Sequence, residues 1–339
     1  MRRPPERLVP SGLPAILGIV FRILPVGYAR VSIFLGATLA LLLLAVAARA
    51  SVLDHWLALG IILEAISTGW ILWAVLYSAQ HLEKENPRFV SLIAGRNEHA
   101  QNWISDEIEK VYSGLVPVLI VAGMTLALMG TVMFVIGVPP ASEAHLSIWQ
   151  IVFESAFLVF SVVAGFGMST VLLIGRFMVR YARQDLRVSI YQQPFSHFRF
   201  IGLLQLRFAW ITALGFLMAS GMTLCYWQVQ WATLFWLILG LVIVLGFFFL
   251  PQYRFHLMLR NKKLLELEGI SEKIQNAFGE SILDPKQLPK LKDLYDIAKM
   301  IENIPEWPFN ARVVISVLGS GLLTQLPIIA KLIYGTFFK

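Results

Sequence analysis

The sequence predicts an all-α protein: a polytopic membrane helix bundle of six clear spans with a seventh candidate, carrying a cytoplasmic helical hairpin. Three observations predict it. Hydrophobic residues make up 57% of the 339 positions and charged residues 14%, against roughly 45–50% and about 25% in a soluble globular domain. The excess gathers into runs such as 31–48, 115–138 and 231–250, long enough as helices to cross a hydrocarbon core about 30 Å thick. The cations flank those runs: 25 of the 28 Lys and Arg fall in the segments 1–30, 80–112, 176–207 and 251–312.

In chain order, residues 1–30 form a cytoplasmic N-terminal segment. Arg2, Arg3 and Arg7 precede a short apolar stretch at 13–21, and Arg22, Pro25 and Arg30 follow where a cleaved leader would carry small residues. The stretch is too short to span and is expected to lie on the inner leaflet. The six spans are 31–48, 53–78, 114–137, 148–175, 208–226 and 231–250. Their connections at 138–147 and 227–230 carry no cation, and cytoplasmic loops retain Lys and Arg, so the N-terminus is expected inside. The spans then pair into three hairpins with short outer turns.

The membrane domain 31–250 carries two cytoplasmic insertions, 79–112 and 176–206. The first holds Glu83-Lys84-Glu85-Asn86-Pro87 and then a charged helix over 98–110; the second continues the fourth span and ends at the loop signal Gln192-Gln193-Pro194. Residues 251–310 are the largest cytoplasmic segment. Leu257, Leu264, Leu267, Ile270 and Ile274 recur at helical spacing, and Leu291, Leu294, Tyr295, Ala298 and Ile301 repeat it after Asp284-Pro285. Two amphipathic helices in an antiparallel hairpin are expected. A C-terminal membrane helix, 311–339, follows. Trp307 and Phe309 suit an interface anchor, and Asn310 suits a helix cap. Pro327 interrupts this last run, so it either spans or re-enters. Trp307-Pro308-Phe309 ahead of a final apolar helix resembles bacterial membrane proteins, which implies a bacterial cytoplasmic membrane.

Several chemistries lack their residues. No phosphate-cradling Gly-x-x-x-x-Gly-Lys occurs, no Gly-x-Ser-x-Gly elbow, and no Cys/His set at metal-ligand spacing. Cys225 is the single cysteine. No enzyme, cofactor or metal is expected. The net charge of +7 reads as topology and contact with anionic headgroups, not nucleic acid. A retinal-type lysine fails because Lys331 lies near the end of its helix and the third span has no acidic counter-ion.

The informative residues are carboxylates inside spans. Glu64 lies near the middle of the second span and Glu154 in the outer third of the fourth, with no Lys or Arg at matching depth. A mid-membrane carboxylate costs about 2.5–3.5 kcal/mol even on insertion scales. Each is either a protonated group bonded between helices or an ion-pathway residue. Ser67 and Thr68 extend the Glu64 face, and Ser316, Ser320 and Thr324 form a stripe in the last helix; packing through small residues and a hydrated lining both account for them. Gly165, Gly167 and Pro327 are hinge candidates. Arg176, Arg180, Arg183 and Arg187 share one helix face beyond the fourth span, a stripe for anionic lipid or an acidic partner surface.

Two functions follow as expectations. One is an oligomeric ion channel or small-ion transporter with the carboxylates on its path. The other is a membrane-anchored scaffold or accessory subunit that meets a cytoplasmic protein partner through the hairpin.

Overall fold

A computed structural model describes residues 28–49, 53–94, 97–130, 146–186, 194–227, 230–279 and 288–304. Eight helices account for nearly all of them: α1 (Tyr28–Arg49), α2 (His55–Leu92), α3 (Asn97–Tyr112), α4 (Leu115–Gly130), α5 (Leu146–Tyr181), α6 (Pro194–Trp227), α7 (Gln230–Gly279) and α8 (Leu288–Glu302). The expected all-α bundle is what forms. Six helical segments are long and apolar enough to cross a membrane, as a multi-pass integral membrane protein requires. The 13–21 stretch, Arg187 and everything after residue 304, including Trp307, Phe309, Ser316, Ser320, Thr324 and Pro327, lie outside the described residues.

The helices overrun their apolar runs. α2 begins where Asp54, in extended backbone, accepts a hydrogen bond from the Leu57 amide at 2.6 Å, a standard cap for an orphan amide. It then runs 38 residues, through Pro87, to Leu92. Pro87 supplies no amide to the ladder, yet the turn beyond it is held by tertiary contacts. Phe89 is fully buried against Phe177, Tyr181 and Phe200, and the Tyr181 hydroxyl donates to its carbonyl at 2.9 Å. α7 likewise passes Pro251 without a break, 50 residues in one helix. The boundary expected at 250/251 is therefore the interior of a helix, and the sixth span and the first hairpin helix are one rod.

That rod meets α8 as the expected antiparallel hairpin. Leu267, Ile270 and Ile274 pack on Leu294, Ala298 and Ile301. Leu264 and Tyr295, expected on this seam, point outward instead. The seam is narrower than the apolar pattern.

The described parts of the cation-bearing segments 80–112, 176–207 and 251–312 pack against one another. α3 buries Ala100, Ile104, Ile108 and Val111 on one face, and Gly114 turns the chain into α4 with φ of +97°, a conformation glycine adopts without strain. Ile93 bridges Leu186, and the Ala94 amide donates to the Asp185 carbonyl at 2.7 Å. Lys262 reaches Asp185 and the Leu186 carbonyl. Lys263 donates to the Glu302 carbonyl at 2.7 Å. One apolar core, from Phe89 and Tyr181 to Phe248 and Phe255, continues from this layer into the spans.

Within the spans, α2 packs on α5 and α6, and α7 packs on the same two. These four helices close a ring. α1 crosses α2 at close range: a Cβ added at Gly36 would sit 2.8 Å from the Ala65 carbonyl oxygen, and one at Gly69 2.7 Å from that of Ser32. Small residues one turn apart let two membrane helices approach like this. α4 leans on α5 from outside and buries only Pro117 and Leu128.

Candidate functional site

Glu64 is 0% exposed and faces inward from α2. Its Oε2 accepts a hydrogen bond from the hydroxyl of Tyr226, at the far end of α6. Gly60, one turn earlier on α2, makes this geometry possible, because a Cβ there would lie 2.5 Å from two Tyr226 ring carbons. The ring rests on bare backbone and its hydroxyl reaches Glu64. Phe153 supports the ring edge-on, centroids 5.3 Å apart.

The surroundings are apolar: Leu57, Ile61, Trp149, Phe153 and Phe157 belong to the cluster that contains Tyr226. Among the described residues no cation pairs with the carboxyl, and its second oxygen, Oε1, is buried without a hydrogen-bond partner. A buried polar atom left unsatisfied costs about 1–3 kcal/mol.

The same cluster contributes Leu128, Phe157, Phe160 and Met222 to one end of a cavity of about 130 Å³. The cavity lies between α2, α4, α5 and α6 and ends beside Ser78, Ile174 and Phe247. There the Ser78 and Tyr112 hydroxyls, both buried, hydrogen-bond at 2.9 Å. Fourteen residues of α2 separate Glu64 from Ser78, about 21 Å at the helical rise of 1.5 Å per residue. Along α2 the Glu64–Tyr226 pair, the cavity wall from Trp70 to Val75 and the Ser78–Tyr112 pair thus follow one another.

The other sequence candidates divide. The Ser67 hydroxyl donates to the Leu63 carbonyl at 2.6 Å and Thr68 to that of Glu64 at 2.8 Å. Ser161, Thr212, Ser220 and Thr223 donate to their own helices in the same way. These donors are spent on their own backbones, the packing arrangement. Glu154 is half-buried, accepts from Gln150 of the same helix at 2.9 Å, and is not brought to Glu64. Gly165 and Gly167 sit at helix crossings. Added Cβ atoms there would meet the Val121 backbone at 3.0 Å and the Ile71 side chain at 2.5 Å, while α5 runs unbroken through both.

The Arg stripe also divides. Arg180 donates to both oxygens of Glu107, at 2.9 and 3.1 Å, and Lys110 adds a third bond at 2.9 Å. Arg176 and Arg183 stay exposed. Burial pushes the Glu107 carboxyl up, but the hydrogen bonds from Lys110 and Arg180 and their charges outweigh it, so the group sits below its ordinary range.

Sequence reasoning missed Tyr226, Gly60 and the Gln205–Gln252 amide pair buried between α6 and α7. A tyrosine beside Trp227 at a span end reads as an interface anchor. The Ser32/Gly36 and Ala65/Gly69 spacings were the available signal for the α1–α2 crossing. Among the described residues no group of His, Cys, Asp and Glu gathers that could hold a metal ion.

Compared with known proteins, the chain matches no family model, no curated protein and no solved structure. Its function rests on the chemistry of its own residues.

Proposed function

We propose that this is a non-enzymatic transport protein of the membrane that passes protons or small monovalent cations, with Glu64 as the binding group and Tyr226 as its partner, captured in an occluded state. One observation carries the reading: a carboxyl fully buried among spanning helices keeps one oxygen without a partner among the described residues. An intramembrane acid is costly, and such residues mark ion pathways. Tyr226 offers a hydroxyl in place of lost water, and Oε1 is the open position for a proton or cation. Release requires α6 to move off Gly60. Assembly of several copies in a cytoplasmic membrane, N-terminus inside, belongs to this proposal. The test is flux in proteoliposomes containing the full chain. Wild-type protein should carry protons, Na⁺ or K⁺, Glu64→Gln should abolish the flux, and Tyr226→Phe should slow it. Silent wild-type vesicles across all three ions would remove the proposal.

A scaffold reading draws on a different observation. The α7–α8 hairpin leaves Leu264, Leu265, Tyr295 and Met300 exposed beyond the apolar runs, and apolar patches of this kind mark protein contacts. Leu265→Asp with Met300→Asp should then abolish recovery of a cytoplasmic partner with flux unaffected. Unchanged recovery removes this alternative.

A further inference from the structure

The cavity between α2, α4, α5 and α6 has its own chemistry, independent of what Glu64 does. We propose that it binds hydrocarbon: the end of a phospholipid acyl chain that enters from the bilayer between α4 and α6. The walls are apolar, with Trp70, Phe157, Phe160, Phe208, Phe216 and Met222 supplying much of them. Four of the five polar side chains among them, all but Thr170, are committed to other groups. Thr212 and Thr223 donate to Phe208 and Ala219, Ser78 bonds Tyr112 and the Val75 carbonyl, and the Trp70 indole donates to the Ile211 carbonyl at 3.1 Å. Water in a buried site needs two to four polar partners, and an apolar cavity of about 150 Å³ stays dry and takes benzene or xenon instead. At about 130 Å³ this cavity is in the same range.

The entrance follows from the packing. α6 packs extensively on α2 and α7, touches α5 where Tyr226 meets Phe153, and shows no extensive packing on α4 among the described residues. Met124 and Leu128 of α4 and Phe216 and Ala219 of α6 therefore face one another across cavity space. α4 holds the bundle by two buried residues and presents Leu119 and Leu126 outward, so it is the most easily displaced wall. The medium outside those leucines, at this depth of a spanning bundle, is acyl chain. That medium is why the occupant is lipid.

Room for a test exists at Gly215. A Cβ there meets only Trp70 Cδ1, at an ordinary 3.9 Å, so a longer side chain grows into the cavity. The full chain is reconstituted in phosphatidylcholine vesicles whose acyl chains carry a terminal diazirine, irradiated, and its adducts mapped by mass spectrometry. Adducts are expected on Met124, Phe157, Phe216 or Met222 as well as on outward Ile33 and Leu41. Gly215→Leu should remove the first set and keep the second. Saturating benzene should compete for the first set in wild-type protein, which holds the test open if the variant fails to fold. Glu64→Gln should leave the labelling unchanged, so failure of the transport reading and failure of this one are separable. Adducts confined to outward residues, or cavity adducts indifferent to both Gly215→Leu and benzene, overturn the proposal.

Discussion

Two buried carboxylates sit in different parts of the molecule and are held in opposite ways. Glu107, 5% exposed in the cation-rich layer, has Arg180 and Lys110 on its oxygens. Glu64, 0% exposed within the spans, has one tyrosine hydroxyl and an oxygen without a partner among the described residues. Both lose hydration. Only Glu107 recovers it through charge-assisted bonds, roughly twice as strong as neutral ones. The difference separates a carboxylate that holds structure together from one whose cost is left open. It also shows what each region asks of its helices. The layer ties segments distant in sequence into one core, and the spans keep a void between them.

The largest expected effect breaks the layer. Phe89→Ala removes the ring that Phe177, Tyr181 and Phe200 pack against, and unfolding in detergent should show a loss of about 3–5 kcal/mol. Next comes the paired test. Glu107→Gln discards a charge that three hydrogen bonds use, and should cost about 1.5–3 kcal/mol. Glu64→Gln keeps an acceptor for Tyr226 and discards no charge-assisted bond, so it should cost less than Glu107→Gln. Equal losses at the two sites would erase the contrast.

A smaller effect concerns acid. Glu107 is held below its ordinary value of 4.5 in the folded protein. Its contribution is therefore complete above that value and is lost as pH falls below it toward the depressed folded value. Melting temperature should drop on acidification through that window, and Glu107→Gln should flatten the slope. Arg180 is 42% exposed, so added salt should trim part of the effect. The smallest is Glu154→Gln. Glu154 is bonded only to Gln150 of its own helix among the described contacts, and both stability and flux should match wild type.

The spans were legible because solvation by a bilayer is written into composition: long apolar runs and cations at their ends need no partner to be read. Glu64 stood out for the same reason, as a charge interrupting a run. Its partner did not, because Tyr226 is 162 positions away and hydrogen bonding across helices leaves no local pattern. Helix ends were misread where tertiary contact overrides a local signal. Pro87 and Pro251 lie inside helices that continue past them, the first held by Phe89. The Arg stripe showed a shared face but not that Arg180 alone would find Glu107, on a helix 73 positions earlier. Leu264 and Tyr295 show a helical period that fixes a face but not the width of the seam it forms.

The most direct test compares the two carboxylates in one preparation. Wild type, Glu64→Gln and Glu107→Gln, each verified as folded, are reconstituted at equal density, and the flux of protons, Na⁺ and K⁺ is measured. The predicted result is flux in wild type and in Glu107→Gln, and none in Glu64→Gln. Flux that survives Glu64→Gln, or disappears only with Glu107→Gln, contradicts the assignment of the transport site to Glu64.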